Sequence, residues 1–219
     1  MTDTPGTLLY ASDFSTPTLD LERTWFLEGK GTAEIQEGQL ALREDPESKG
    51  LVLWLRKDVP DSMSLEFDVS FSNNRGIGVF FLAAQGLDGE DILTEQPART
   101  GAYGEYTKGN MNCYGASVHR FFPDGRQNDG CNLRRNAGFH IVHHSEYDPV
   151  TVAGRMYHVA IRKTGARIQM WVDGQLLHDW TDDGTHGPAL RGGKIGFRVR
   201  GDTSCTMMLD NIVVRALVP

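Results

Sequence analysis

The feature that most constrains this chain is a hydrophobic period of two, repeated along its length and nowhere replaced by a helical one. Met63, Leu65, Phe67, Val69 and Phe71 alternate with Ser62, Ser64, Glu66, Asp68 and Ser70. Side chains of a strand point alternately to its two faces, so such a segment buries one face and wets the other. Ile195, Phe197 and Val199 alternate with Lys194, Arg198 and Arg200, and Ile168, Met170 and Val172 with Arg167, Gln169, Trp171 and Asp173. Asp173-Gly174 lies between two strand-like runs, and Glu37-Gly38 precedes Gln39-Leu40-Ala41-Leu42. Two-residue loops of this kind supply the positive φ that a tight hairpin needs. No stretch keeps a helical period for about twelve residues. The nearest approach, Gly89–Ala98, is broken by Pro97. Short strands recurring roughly every ten residues between Gly and Asn/Asp turns predict an all-β fold, a two-sheet antiparallel sandwich. No linker interrupts the pattern, so residues 1–219 read as a single domain.

With 39% hydrophobic and 9% aromatic residues in 219, the chain can fill the core of such a sandwich. A net charge of −7 argues against a general nucleic-acid binder. No apolar run reaches the roughly 18 residues of a membrane-spanning helix. Cys113, Cys131 and Cys205 are too few and odd in number for a disulfide scaffold. Between a Cys113–Cys131 bridge and reduced thiols, reduced thiols are expected. The opening Met-Thr-Asp-Thr-Pro-Gly lacks the basic start and apolar stretch of a secretory signal. A cytoplasmic location is the corresponding expectation, or a secreted one if a leader has been trimmed.

One segment departs from this acidic background. Between Gly101 and His144 five cations (Lys108, Arg120, Arg126, Arg134, Arg135) stand against three anions, whereas the rest of the chain carries 17 against 26. Four of the seven histidines, His119, His140, His143 and His144, fall in the same segment. A locally basic, Asn- and Tyr-rich stretch in an acidic protein points to an anion site. The competing reading is a long solvated connection.

Both ends of the chain resemble the concanavalin-like, or laminin-G-like, jelly-roll superfamily. The N-terminal residues that carry this are Asp13-Phe14, Trp25, Glu28-Gly29 and Gly38-x-Leu40. The C-terminal ones are Tyr157–Ile161, Trp171-Val172-Asp173-Gly174, Gly193–Arg198 and Leu209–Val214. The middle, Gly109–Ser117 with Arg120, Cys131–His140 and Asp148-Pro149, resembles the YesU-like family. That resemblance implies a concanavalin-type jelly roll and a carbohydrate-active protein, since the family's namesake is associated with breakdown of pectin-type rhamnogalacturonan. It supplies no mechanism and no proven catalytic residue.

In jelly-roll carbohydrate proteins the outward side chains of one concave sheet line the sugar groove. With Met111–Phe122 as a regular strand, Asn112, Tyr114, Ala116, Val118 and Arg120 share one side. His119 then falls on the other, unless a bulge intervenes. The side with Asn112, Tyr114 and Arg120 is favoured for the groove, because it joins an amide, a phenol and a guanidinium. Tyr114 as a core aromatic and His119 as a packing residue are the bland alternatives. Arg134 and Arg135 offer planar forks that match a carboxylate. They either clamp a uronate or tie a loop to the strand bearing Glu66 and Asp68.

Three functions compete. A polysaccharide lyase acting on a uronate-containing glycan would neutralise the carboxylate with Arg120 or Arg134 and Asn112. It would use Tyr114 or His119 as base and Tyr106 as acid. A glycoside hydrolase would use Glu66 and Asp68, although Phe71 stands where the superfamily's Glu-x-Asp-x-x-Glu pattern has its third acid. A binding module would stack sugars on Trp171, Trp180 and Tyr103. The expected partner is an acidic oligo- or polysaccharide, with no nucleic acid or membrane, and the oligomeric state is left open. No cofactor is expected. His143-His144 alternate in direction and no Cys/His spacing reads as zinc. A structural Ca2+ is compatible with a jelly roll but is not placed by the sequence.

Overall fold

The computed structural model describes residues 6–200 and 205–218, so most of the N-terminal stretch read above for a leader lies outside the described residues. In chain order the elements are β1 (Thr7–Ser12), β2 (Trp25–Gly29), β3 (Gly31–Gln36), β4 (Gln39–Glu44), β5 (Leu51–Leu55), β6 (Met63–Phe71), β7 (Gly76–Gly86), α1 (Tyr103–Thr107) and β8 (Met111–Phe121). There follow β9 (Cys131–Asn136), β10 (His140–Ser145), β11 (Tyr157–Thr164), β12 (Arg167–Val172), β13 (Gln175–Thr181), β14 (Lys194–Arg200) and β15 (Thr206–Ala216). They form two antiparallel sheets. Sheet A has the order β13-β12-β11-β6-β15-β4-β3, with β1 added along β15, and sheet B the order β10-β9-β8-β7-β14-β5-β2. The all-β two-sheet jelly roll is therefore the fold.

The apolar stripes meet between the sheets. Met63, Leu65, Phe67, Val69 and Phe71 of β6 are all buried. The Phe67 ring packs edge-on against Phe80 of β7 at 4.7 Å and Phe197 of β14 at 5.1 Å. The polar partners Glu66 and Asp68 face outward from sheet A. Both two-residue turns form as hairpins: Asp173 and Gly174 have φ of 48° and 77°, Glu37 and Gly38 of 52° and 76°. The three thiols are free and buried.

Strict alternation fails once where it matters, in β8. His119 adopts φ 53°. The pairing of β8 with β7 slips between Gly76 and Gly78. Val118 remains in the core, yet the His119 ring also turns inward and stacks on Phe71 at 4.0 Å and 2°. Such a bulge reverses the parity of everything after it. The buried Asp148 carboxylate braces the bulge by accepting the backbone N–H of Arg120 at 2.9 Å and of Val150 at 3.0 Å. The expectation that Asn112, Tyr114 and Arg120 share a face is thus corrected: Tyr114 sits in the inter-sheet core, and Arg120 is turned to the outer face of sheet B.

Two buried histidines carry a pH signature. Burial holds His119 down to about 4, and the same cause, helped by His143 and His144, holds His178 of β13 down to about 3. His178 Nδ1 lies 2.9 Å from Nδ1 of His143 on β10, so this contact joins the outermost strands of the two sheets. Two Nδ1 atoms can share only one proton, so the contact requires a lone pair on one ring. Below about pH 6.5 the unfolded chain binds protons at both residues while the native state does not. Stability is therefore full above that pH and falls as the pH drops toward the depressed native values. The slope expected is up to about 1.4 kcal/mol per pH unit for each histidine. Urea midpoints measured between neutral and acid pH should show this decline, with a shallower slope in His178→Gln; an identical slope in that variant would remove His178 from the account.

Candidate functional site

The pairing register lines up the outward residues of sheet B in rows across the strands. One row runs Val52, Arg198, Val79, Ser117 and then Asn132 and His144, from β5 to β10. The next runs Trp54, Gly196, Phe81, Gly115, Arg134 and Ile141. In an uncovered jelly roll both rows would be open. Here the connection between β7 and β8, which includes α1, folds back over part of the face.

That connection builds a second hydrophobic cluster outside the main core. Ile92, Tyr106 and Met111 pack with Val52, Trp54, Val79, Phe81 and Cys113. Tyr106 lies 5.5 Å from Phe81, nearly parallel to it, and 6.2 Å from Trp54. A buried carboxylate pins the segment down. Glu28 of β2 accepts the Trp54 indole N–H at 2.8 Å, the Tyr106 hydroxyl at 3.2 Å and the backbone N–H of Arg99 at 3.1 Å, and pairs with the Arg99 guanidinium at 3.0 Å. Lys194 of β14 ties down the start of the segment through Asp91 at 2.9 Å. Backbones touch as well: a Cβ on Gly101 would lie 1.9 Å from the Gly50 carbonyl oxygen.

What remains open is bordered by arginines and aromatic rings. Arg134 lies over Phe139 at 3.6 Å and donates to that residue's carbonyl at 2.8 Å. Arg120 donates to the carbonyls of Asp129 and, at 2.8 Å, Gly130. Arg198 lies under the Tyr103 ring at 4.7 Å and donates to the carbonyls of Lys49 and Gly101. Among the described residues, neither Arg120 nor Arg134 meets a carboxylate at ion-pair distance. Desolvation lowers the Arg134 pKa, with the charge of Arg120 adding to it, and burial lowers that of Arg198 to about 10. Burial raises the Tyr103 pKa, while the positive fields of Arg198, Arg134 and Arg120 oppose that rise. His144 stands at the β10 end, its Nδ1 2.8 Å from the Asn132 side-chain oxygen.

The structure divides the residues singled out from sequence. Arg120 and Arg134 come together on this face. Tyr114 does not: its hydroxyl donates to Asp182 at 2.5 Å and accepts the Leu190 N–H at 2.9 Å inside the core. Burial and the Asp182 carboxylate push its pKa upward. Arg135 is buried beside it, donating to Asn112 Oδ1 at 3.0 Å and lying 3.8 Å from Asp182, so both Arg135 and Asn112 are engaged in an internal network. His119 is walled in by Phe71 and the carbonyls of Val150 and Asn73. Tyr106 is fully buried, and its pKa is raised by desolvation and by Glu28. Glu66 and Asp68 lie on the outer face of the opposite sheet, where Asp68 pairs with His158 at 2.8 Å and accepts from Asn211. A tie between them and Arg134 or Arg135 is not formed. Of the stacking candidates, Trp180 packs against the main core and Trp171 belongs to sheet A, leaving Tyr103 at the site. Sequence reasoning missed Arg198, Phe139 and Ser117. The alternation of Arg198 with Phe197 gave a usable signal for the first. No group of three metal-ligating side chains is present among the described residues.

Fold and site together define a jelly roll with a partly roofed, cationic outer face. The chain belongs to the family described as a domain of unknown function, DUF1961, whose model matches residues 7–205. It is 32% identical over 182 residues to the uncharacterized protein YesU of Bacillus subtilis, covering 80% of this chain and 82% of that protein. It also superimposes, at a TM-score of 0.88 and 28% identity over 99% of both chains, on a Bacillus subtilis protein of unknown function with a galectin-like fold. More distant structures share the fold alone. One is the carbohydrate-binding module CBM66 from Bacillus subtilis (TM-score 0.59, 17% identity, 91% of this chain and all of the module). Another is the laminarinase from Rhodothermus marinus (TM-score 0.66, 12% identity, 100% of both). A two-sheet jelly roll is the class these matches support.

If Glu28 is what fixes the roof, Glu28→Gln should leave Arg99 buried without its counter-charge and lower stability by about 3 kcal/mol. Limited proteolysis should then cut first within residues 87–110, ahead of global unfolding. Unchanged urea stability together with an unchanged cleavage pattern would show that the second hydrophobic cluster holds the segment by itself.

Proposed function

We propose that the open part of the outer face of sheet B binds an acidic saccharide of the uronate-containing, pectin-like kind. The observation that carries this reading is the pair Arg120 and Arg134. Both are held in place by backbone carbonyls and neither is neutralised by a carboxylate. A guanidinium oriented by carbonyls keeps donors for a planar anion, and Arg matches carboxylate geometry with two parallel bonds. Half-buried aromatic rings, Tyr103 and Phe139, stand beside the cations at 5.7 Å from each other and offer apolar surface to a sugar ring.

Tyr103 also supplies the one specific argument for cleavage. It is the phenol that stands beside the arginines, where a lyase would need a Brønsted group near the neutralised carboxylate. In that reading Tyr103 takes the place assigned from sequence to Tyr114, His119 or Tyr106. A hydrolase built on Glu66 and Asp68 would work on the other face of the molecule, away from the cations, and is not favoured.

The test is calorimetric titration with oligomers of galacturonate, glucuronate and alginate, with neutral oligosaccharides as controls. Binding to at least one uronate series is expected, weakening with added salt. Arg134→Ala should cost about tenfold or more in affinity, the size of a lost charge-assisted hydrogen bond. Arg135→Lys, inside the core network, should alter stability more than affinity. Unsaturated uronate detected by ultraviolet absorbance, lost in Tyr103→Phe with binding retained, would establish the lyase version. Binding to neutral sugars alone, or no binding to any uronate series, would overturn the proposal.

A further inference from the structure

Resting on that reading of the site, we infer that the binding face is blind at one end and takes the terminus of an acidic chain rather than its interior. The argument is the uneven cover of sheet B. Toward β14, β5 and β2 the outward row is sealed. Val52 is fully buried and Arg198 is 2% exposed. The Tyr103 ring covers the Arg198 guanidinium, whose Nη2 donates to the carbonyls of Lys49 and Gly101. Behind it Gly29, Gly50 and Gly101 are in backbone contact: a Cβ on Gly29 would lie 2.2 Å, and one on Gly101 1.9 Å, from the Gly50 carbonyl oxygen. No saccharide passes between backbones that close.

The cover ends only toward β9 and β10, past Ser117 and Asn132. His144 on the last strand is exposed, Ile141 of the same strand is 53% exposed, and Arg120 and Arg134 are half-buried. Val79, Ser117 and Asn132 of the sealed row are 1%, 7% and 4% exposed. The open part is therefore the strip along β9 and β10 that carries Arg134, Ile141 and His144, one strand spacing of about 5 Å and the sheet edge beyond it. A saccharide lying across the strands can therefore leave the site on the β10 side and must stop at Tyr103 and Arg198 on the other. The stop is rigid. Its roof is locked by the Glu28–Arg99 pair, by Lys194–Asp91 and by an apolar cluster of its own. The cations also lie toward the stop: Arg134 and Arg120 are near enough to Tyr103 for each to act on its hydroxyl. The terminal residue is thus the one whose carboxylate meets the arginines, and its ring meets Tyr103.

End recognition makes a prediction that mid-chain recognition does not. At equal total uronate, the concentration of sites offered by a polymer scales with its number of chain ends. A polyuronate of whichever series binds is fragmented to several mean lengths and titrated calorimetrically into the intact protein at constant uronate content. Apparent affinity per uronate should rise in proportion to chain ends, so that a tenfold shortening gives about a tenfold gain, while affinity per chain stays constant. Affinity per uronate that is independent of length would overturn end recognition and leave acidic-saccharide binding standing. Absence of binding at every length would overturn both. No variant is needed, so misfolding does not confound the result.

Discussion

The whole arrangement of the outer face of sheet B depends on one buried carboxylate. Glu28 accepts from an indole, a phenol, a backbone amide and a guanidinium, and the four donors come from sheet B and from the segment laid over it. An ionised group with four donors is well satisfied, which is the condition under which burying a charge pair is tolerated. Its effect is geometric. A connection of more than twenty residues between β7 and β8 would ordinarily be a mobile loop. Anchored at Glu28 and Lys194, it becomes a wall with its own apolar core. The site is what that wall leaves uncovered.

The jelly roll was legible from sequence because its cause is local. Alternation along β6, β12 and β14 needs only the pleat of a strand, and Asp173-Gly174 only the φ tolerance of glycine. The site was legible in part. A basic stretch in an acidic chain marked Arg120 and Arg134, and both reach the same face. Parity within β8 was not legible. Whether His119 follows Val118 inward is decided by a stacking partner in β6 and by Asp148, which is 28 residues away from Arg120. The Tyr and His residues that looked reactive by type are buried for a related reason. Tyr114 and His119 serve the core as aromatic rings and satisfy their polar atoms internally. A list of residue types carries no information about which polar atoms the fold will already have used.

Arginine suits the open face for the same reason that it is scarce in the core. Arg120, Arg134 and Arg198 are each held by carbonyl oxygens, which orient the fork without neutralising it. Arg135 shows the contrasting case on β9, the strand next to that of Arg120. Its charge faces Asp182 at 3.8 Å and a terminal nitrogen donates to Asn112 at 3.0 Å, both within the protein. Two adjacent residues in β9 thus divide between structure and surface because a strand sends neighbours to opposite faces.

The net charge of −7 does not contradict an anion site, because fields at protein surfaces are local. The acids of β6 and the arginines of β8 and β9 occupy opposite outer faces. Those faces are separated by a sheet spacing of about 10 Å plus the side chains on each side. That separation exceeds the Debye length of about 8 Å at physiological ionic strength, so solvent ions attenuate the acid field that reaches the cationic face around the outside. Asp68 is further occupied by His158 and Asn211 on its own side. Any anion near Arg134 would therefore respond chiefly to the guanidinium groups of this half-buried face, where charge interactions are stronger than in bulk water.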